Sequence, residues 1–266
     1  MNALRVAGRS LDTYRRPLLI WVAAVGAMGF LQVLFWPAFE SSASEGLEQL
    51  MENLPAALQA LVGETNLLTP EGFINSRFNS LFPLLIGVYA AFRATNETAG
   101  LEQDGGFELL LGTPLSRREL LVGKFLAVAA AVAAIMVGLG LLTVLGAVLV
   151  GMDISLGRIL AAAVAMTFLG WAFAGATFLV AGVTGSRGIT LGVGAGAAVA
   201  LFVWYSFAPL VEALEPFRPL SPYDHAIGYD PIRNGLEAFG TLLLAAVALV
   251  GLMLAILFFE RRDVGT

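Results

Sequence analysis

Residues 97–124, ETAGLEQDGGFELLLGTPLSRRELLVGK, form a polar and charged segment in a chain that is otherwise very apolar. We call this segment the polar island. Long apolar runs flank it on both sides, so it separates two candidate membrane helices. It is too long and too patterned to be a plain turn between them. We therefore expect the island to lie at the water face and to present its side chains to another molecule.

The composition of the chain indicates an integral membrane protein. Apolar residues make up 58% of the 266 residues and charged residues 13%, whereas soluble domains carry roughly 25% charged residues. The net charge of −5 argues against a nucleic-acid partner, which calls for a basic stripe. Cysteine is absent and His225 is the single histidine. With no zinc motif around that histidine, we expect neither a metal nor another cofactor.

Apolar runs of about 20 residues are long enough to span a bilayer. Six segments of the chain meet this requirement: 18–36, 78–95, 125–150, 158–183, 189–209 and 237–259. The sequence therefore predicts an all-α membrane protein with six transmembrane helices in a single domain, 1–266.

The distribution of basic residues predicts the orientation. Eleven of the fifteen Lys and Arg residues fall on the side of the termini and the island. They are Arg5, Arg9, Arg15, Arg16, Arg93, Arg117, Arg118, Lys124, Arg187, Arg261 and Arg262. Because basic residues favour the cytoplasmic side, we expect both termini and the island to be cytoplasmic in a multi-pass protein of the plasma membrane. The loop 37–72 has six glutamates and no Lys or Arg, as expected of an external loop.

The external loop carries a helical pattern of its own. Apolar residues recur at helical spacing over 45–62, which predicts an amphipathic helix between spans one and two. One alternative places this helix on the outer leaflet. The other makes it a lid packed on the bundle, which the lack of a basic face favours.

The predicted spans contain no ionisable side chain in their interiors, and Arg93 lies at an end of span two. Proton relays and ion-coupled transporters usually need such groups, so we do not expect a gradient to drive this protein. Span five carries small residues at intervals of four, at Gly188, Gly192 and Gly196. Small faces allow close helix packing in lipid. Packing within the chain and a subunit interface are both open explanations.

The second half of the island contains a helix start. Ser116 and Glu119 form an S-x-x-E pattern, which is typical of a capping box. The pattern predicts that span three begins near Arg117 and continues through Lys124 into the membrane. Such a helix would transmit motion from the island to the spans, with Ser116, Arg117, Glu119 and Lys124 as the transmission residues. Lipid-headgroup anchoring is the alternative role for the basic residues.

The island also carries a family motif. Glu102 is followed by Gly105-Gly106-Phe107-Glu108, a Leu109–Leu111 run, Thr113-Pro114-Leu115-Ser116-Arg117 and Gly123-Lys124. This order resembles the signature of type-2 ABC exporter permeases, although Phe107 stands where that family usually has threonine. The six-span pattern and the Ser-Pro-Tyr turn at 221–223 extend the resemblance over nearly the whole chain.

The resemblance implies a mechanism and two protein partners. Permeases of this family pair as two six-span units, so we expect a homodimer. Each unit docks a separate ATP-binding subunit through a cytoplasmic coupling helix, which corresponds here to about 95–111. Glu97, Glu102, Asp104 and Phe107 would form the docking face. The chain has no GxxxxGK[ST] loop, so we expect ATP hydrolysis on the partner and no enzymatic activity in this chain.

Two functions from different classes stay open. The first is the membrane subunit of an ATP-driven exporter of unidentified substrate. The second is a non-transporting membrane scaffold or envelope-remodelling component of an ABC-like complex. For the first, Gln32, Asn75, Asn79 and Tyr205 are candidates for a substrate path, although the same residues would also serve as interfacial anchors.

Overall fold

The computed structural model describes residues 2–41, 69–106, 115–211 and 213–261, and none of these residues forms a β-strand. Eight helices carry the fold: α1 Asn2–Thr13, α2 Arg15–Leu34, α3 Pro70–Ser80, α4 Phe82–Thr95, α5 Arg117–Leu149, α6 Leu156–Thr184, α7 Arg187–Phe207 and α8 Ala238–Arg261. The all-helical prediction is confirmed for the described residues. The predicted amphipathic helix at 45–62 lies outside them.

Within the described part of the chain, five helices are long and apolar enough to cross a membrane: Arg15–Ser41, Arg117–Leu149, Leu156–Thr184, Arg187–Leu210 and Ala238–Arg261. They correspond to predicted spans one, three, four, five and six. Predicted span two, 78–95, is divided at Leu81 between α3 and α4. Pro83 in the first turn of α4 explains the break, because proline lacks the N–H of a helical hydrogen bond and its ring crowds the preceding turn.

Helix α6 lies at the centre of the bundle and packs against α4, α5, α7 and α8. Its core residues Met166, Leu169 and Phe178 are fully buried. The closest helix crossing joins α6 to α8, where a Cβ on Gly175 would collide with backbone atoms of Ala248 and one on Gly251 with the backbone of Gly175. Glycine at both positions therefore allows the two backbones to touch.

The remaining helices surround this centre. Helix α2 packs along α5, and the amphipathic α1 packs against the first turns of α5. Helices α2 and α7 are the least enclosed of the five long helices. We call the end of the bundle that holds α1, the start of α5 and the end of α8 the charged end. The opposite end holds α3 and the segment between α7 and α8, which includes the one-turn helices Glu215–Leu220, Asp224–Gly228 and Pro231–Asn234.

Candidate functional site

The charged end contains a buried ion cluster centred on Glu97. One oxygen of its carboxylate accepts from Arg93 Nη2 at 2.7 Å, and the other accepts from Lys124 Nζ at 2.8 Å. The side chains of Glu97, Arg93 and Lys124 are 11%, 15% and 10% exposed. Breaking such a pair on one side leaves a charge in a low-dielectric setting, which costs about 3–5 kcal/mol. The cluster therefore connects the end of α4 to the start of α5 by contacts that are costly to break on one side.

Helix α1 is tied into the same cluster. Lys124 Nζ also donates to Ser10 Oγ at 2.9 Å, and both side chains are buried. Arg93 lies over the ring of Tyr14, with 3.6 Å from the guanidinium carbon to the ring centroid, well within cation–π range. Burial raises the pKa of the Tyr14 hydroxyl above its ordinary value, so this ring stays neutral. Three segments that are distant in sequence thus meet at Glu97.

A π-helical turn positions Glu97. Helix α4 continues directly into Asn96–Gly100, whose residues have π-type hydrogen bonds, and then into Leu101–Gln103. Such turns are rare and often occur at functional sites. The turn contacts α5, α6 and α7, and Asn96 Oδ1 accepts from Arg187 Nη2 at the start of α7 at 3.0 Å. The first part of the polar island is therefore held by several helices at once.

The predicted capping box at the start of α5 is confirmed. Ser116 Oγ accepts from the Glu119 N–H at 3.1 Å, and Glu119 Oε2 accepts from the Ser116 N–H at 3.1 Å. Helix α5 runs unbroken for 33 residues. At 1.5 Å per residue this is about 50 Å, whereas the hydrocarbon core of a bilayer is about 30 Å thick. Helix α5 is therefore longer than a bilayer crossing along its normal requires.

Arg117, another of the predicted transmission residues, and its neighbour Arg118 join α5 to the end of α8. Arg117 Nη1 donates to the Phe259 carbonyl at 3.0 Å. Arg118 Nε donates to Glu260 Oε1 at 2.7 Å. Together with Lys124, these contacts connect the first two turns of α5 to α1, α4 and α8.

The predicted docking residues differ in how far their side chains are exposed to solvent. Asp104 is exposed and Glu102 is half-buried at the surface. Glu97 is the exception, because its carboxylate is buried and both oxygens bind cations of the same chain. The expectation that Glu97 lies on an exposed docking face is therefore corrected: its side chain faces the interior. Phe107 lies outside the described residues.

The four candidates for a substrate path fall into two groups. Gln32 shares a narrow space between α2 and α3 with Phe73 and Arg77, and Asn79 Nδ2 donates to Asn75 Oδ1 at 2.8 Å on α3. Tyr205 lies on α7 at the same end of the bundle, where its hydroxyl accepts from Arg218 Nη2 at 3.1 Å. Gln32 Oε1 is buried without a hydrogen-bond partner among the described residues.

Three residues of the cluster, Arg93, Ser10 and Tyr14, were not among the site residues predicted from the sequence. The Arg93–Glu97 spacing of four was a usable signal, because residues four apart share a helix face. Nothing local in the sequence indicates the bond from Lys124 to Ser10, which are 114 residues apart. The same holds for the bond from Arg187 to Asn96.

A cavity of about 260 Å³ opens beside the cluster. Its lining combines Arg9, Ser10 and Thr13 of α1 with Asn96, Glu97 and Lys124. Among the described residues no group of three or more His, Asp or Glu side chains could hold a metal ion. The arrangement suits mechanical transmission, since the polar island is bonded to helices that run through the bundle.

The sequence model of a family described as "ABC-2 family transporter protein" matches residues 5–264. A search of individually curated proteins finds no match to the chain.

Proposed function

Since the chain belongs to the ABC-2 family of transporter proteins, whose members are membrane permeases that work with a nucleotide-binding subunit, we propose that it is the membrane subunit of an ATP-driven exporter. The observation that carries the proposal is the buried Glu97 cluster, which bonds the polar island to α1 and α5. The chain itself is not an enzyme in this proposal, and ATP is hydrolysed on the partner.

The proposed route for energy begins on the exposed part of the island. Glu102, Asp104 and Phe107 form the docking face for the nucleotide-binding subunit, within a coupling helix at about 95–111. A displacement of this segment reaches α5 through the ion pair between Glu97 and Lys124, which is a residue of α5. Support for the route comes from the short bonds of the cluster and from the unbroken length of α5.

The sequence supports an external energy source. It contains no GxxxxGK[ST] loop that would bind nucleotide. The interiors of the predicted spans contain no ionisable side chain to couple transport to an ion gradient. A contact with another protein at the charged end is the remaining entry point for energy.

We further propose six crossings of the plasma membrane with both termini in the cytoplasm. In this arrangement the second crossing is the segment 78–95, formed by the end of α3 and by α4, and the charged end faces the cytoplasm. The positive-inside distribution supports this orientation. The buried position of α4 against α6 and α7 supports its place inside the bundle.

We propose that the permease is a homodimer that pairs through α7. The small residues Gly188, Gly192 and Gly196 lie on an exposed face, and a Cβ added to any of them would have no described atom of this chain within 4 Å. Packing within the described chain therefore does not explain this stripe. A second copy could approach closely there, since small faces favour helix association in lipid.

Charge reversal at the docking face tests the proposal. The Glu102→Lys variant and the control Asp12→Lys, an exposed acid on α1 at the same end, are each co-expressed with the nucleotide-binding subunit. We expect Glu102→Lys to insert normally but to lose co-purification of that subunit or the coupling of its ATPase activity to transport. Asp12→Lys should behave as the unmodified chain does. Normal co-purification and normal coupling in Glu102→Lys would refute the docking face.

The substrate is best approached through the ATPase activity of the complex. Drugs, lipids, peptides and ions are screened for stimulation of ATP hydrolysis in reconstituted vesicles. Stimulation of ATP hydrolysis by one class of compound would support the exporter, and no stimulation by any class would count against it.

A further inference from the structure

A groove runs along an exposed side of α5 and α8, away from the Glu97 cluster. Its first section, of about 250 Å³, lies between Arg118 and the α8 residues Met253, Ile256 and Leu257. Its second section, of about 380 Å³, continues between Phe125 and Leu249. Leu249 and Met253 are exposed residues one helical turn apart, so the two sections follow one another along the same pair of helices.

The interior of the groove is apolar and lined by small side chains. Its walls include Ala129, Ala130, Ala133, Ala245 and Ala248. Trp171 of α6 also lines it, and the indole N–H of Trp171 is satisfied by the Ala129 carbonyl at 2.9 Å. Alanines on both helices leave room that larger side chains would fill. The shape therefore suits a flexible hydrocarbon chain.

The mouth of the groove at the charged end carries a net positive charge. Arg117, Arg118 and Arg261 lie there with one acid, Glu260, which pairs with Arg118. The Arg118 side chain is still 65% exposed, so its guanidinium can also meet a ligand. Glu119 follows Arg118 on α5, and its carboxylate accepts from Ser116; counted together with Glu260, it still leaves the three arginines in excess.

The length of the groove matches one leaflet of a bilayer. From Arg118 to Ala133 there are 15 residues, or about 22 Å of helix at 1.5 Å per residue. Half of a whole bilayer with its headgroups is also about 20–22 Å. A cationic mouth at headgroup depth and an apolar groove at acyl-chain depth together complement an anionic amphiphile.

We propose that this groove binds one anionic phospholipid of the leaflet at the charged end, with its phosphate at Arg118 and an acyl chain against the alanines. Such a lipid would contact α5 and α8 where Arg117 and Arg118 join them. This binding does not depend on the proposed export function.

The test uses the full chain in phosphatidylcholine vesicles. Because the chain has no cysteine, Leu249→Cys places a single fluorophore on the groove wall. Val250→Cys is the matched control, since it lies at nearly the same depth, is exposed and does not line the groove. A small fraction of phosphatidylglycerol or phosphatidylcholine with brominated acyl chains then quenches the fluorophore.

We expect brominated phosphatidylglycerol to quench at position 249 at a lower fraction than brominated phosphatidylcholine, and both lipids to quench equally at 250. Arg118→Gln should reduce the preference at 249 by about five-fold, as expected for one basic residue near an anionic headgroup. Arg16→Gln, an exposed arginine at the same end, should leave it unchanged.

Three results would overturn the proposal. Equal quenching by the two lipids at 249 would show no selective site. A preference that Arg118→Gln does not change would remove the headgroup contact. Weak quenching by both lipids, with disulfide-linked dimers of the unlabelled Leu249→Cys chain, would assign the groove to a second copy.

Discussion

The two ends of the bundle each contain an arginine–carboxylate pair, and the pairs are built differently. At the charged end, Glu97 binds two cations and joins α1, α4 and α5. At the opposite end, Arg218 pairs with Asp224 at 2.9 Å within one connecting segment, and the two side chains are 31% and 21% exposed. The first cluster links distant parts of the chain, whereas the second shapes a local cap.

The anchoring of the opposite end shows the same contrast. Its segment is fixed to α7 by neutral hydroxyls that donate to backbone carbonyls, Tyr223 to Ala198 at 3.0 Å and Ser221 to Leu201 at 3.0 Å. Such bonds tolerate changes of charge nearby. A joint made of buried charges is more sensitive, because its energy depends on every partner staying in place. In the described residues, charge is therefore buried where several helices meet, and the segment at the opposite end is held by neutral hydrogen bonds.

The largest effect is expected for Glu97→Gln. The change preserves the shape of the side chain but leaves Arg93 and Lys124 buried without a counter-charge, which should lower the free energy of unfolding by about 3–5 kcal/mol. The free energy is measured by denaturant unfolding of the purified chain in detergent. Asp104→Asn, at an exposed acid of the same segment, is the control. A loss no larger than that of the control would contradict the cluster's structural role.

A smaller effect is expected for Ser10→Ala. Lys124 loses one acceptor but keeps Glu97, so the loss should be about 1.5–3 kcal/mol, the range for a hydrogen bond to a charged group. Amide hydrogen exchange should become faster in α1, which loses its bond to α5. Thr13→Ala is the control, because Thr13 lines the same cavity while its hydroxyl donates to Arg9 within α1. Unchanged exchange in α1 would mean that Ser10 does not hold it.

At the opposite end, Tyr223→Phe should cost about 1 kcal/mol, the value of one neutral hydrogen bond. Burial raises the pKa of the Tyr223 hydroxyl, so the folded protein keeps it neutral. The unfolded chain ionises near the ordinary tyrosine value of about 10. Unmodified protein should therefore lose stability as the pH rises past that value, and Tyr223→Phe should lose less. The exposed Tyr229→Phe is the control, and equal alkaline losses in both variants would be evidence against the prediction.

The sequence predicted the parts of the fold that depend on local pattern. Five apolar runs became long helices, and the Ser116–Glu119 spacing produced its capping box, because both rest on residues within a few positions of one another. The break at Leu81 also had a local cause in Pro83, although the apolar run around it was the stronger signal.

The candidate site was only partly predictable, because its key bonds join distant segments. The sequence singled out Lys124 but not its contacts, because its partners Glu97 and Ser10 are 27 and 114 residues away. Glu97 was expected on the surface because charged residues in a polar segment usually face water. In the fold, the side chains of Arg93 and Lys124 bind the two carboxylate oxygens of Glu97, which water would otherwise solvate.

The smallest effect is expected for Asp224→Asn. Its pair with Arg218 is partly exposed, and pairs near the surface contribute about 0.2–1 kcal/mol. The variant also leaves Arg218 its bond to the Tyr205 hydroxyl and its position 4.7 Å from that ring. Arg218→Gln removes all three contacts and should cost more. If Asp224→Asn lowered the free energy of unfolding as much as Glu97→Gln does, the contrast between the two ends would be wrong. Both ends would then depend equally on an ion pair.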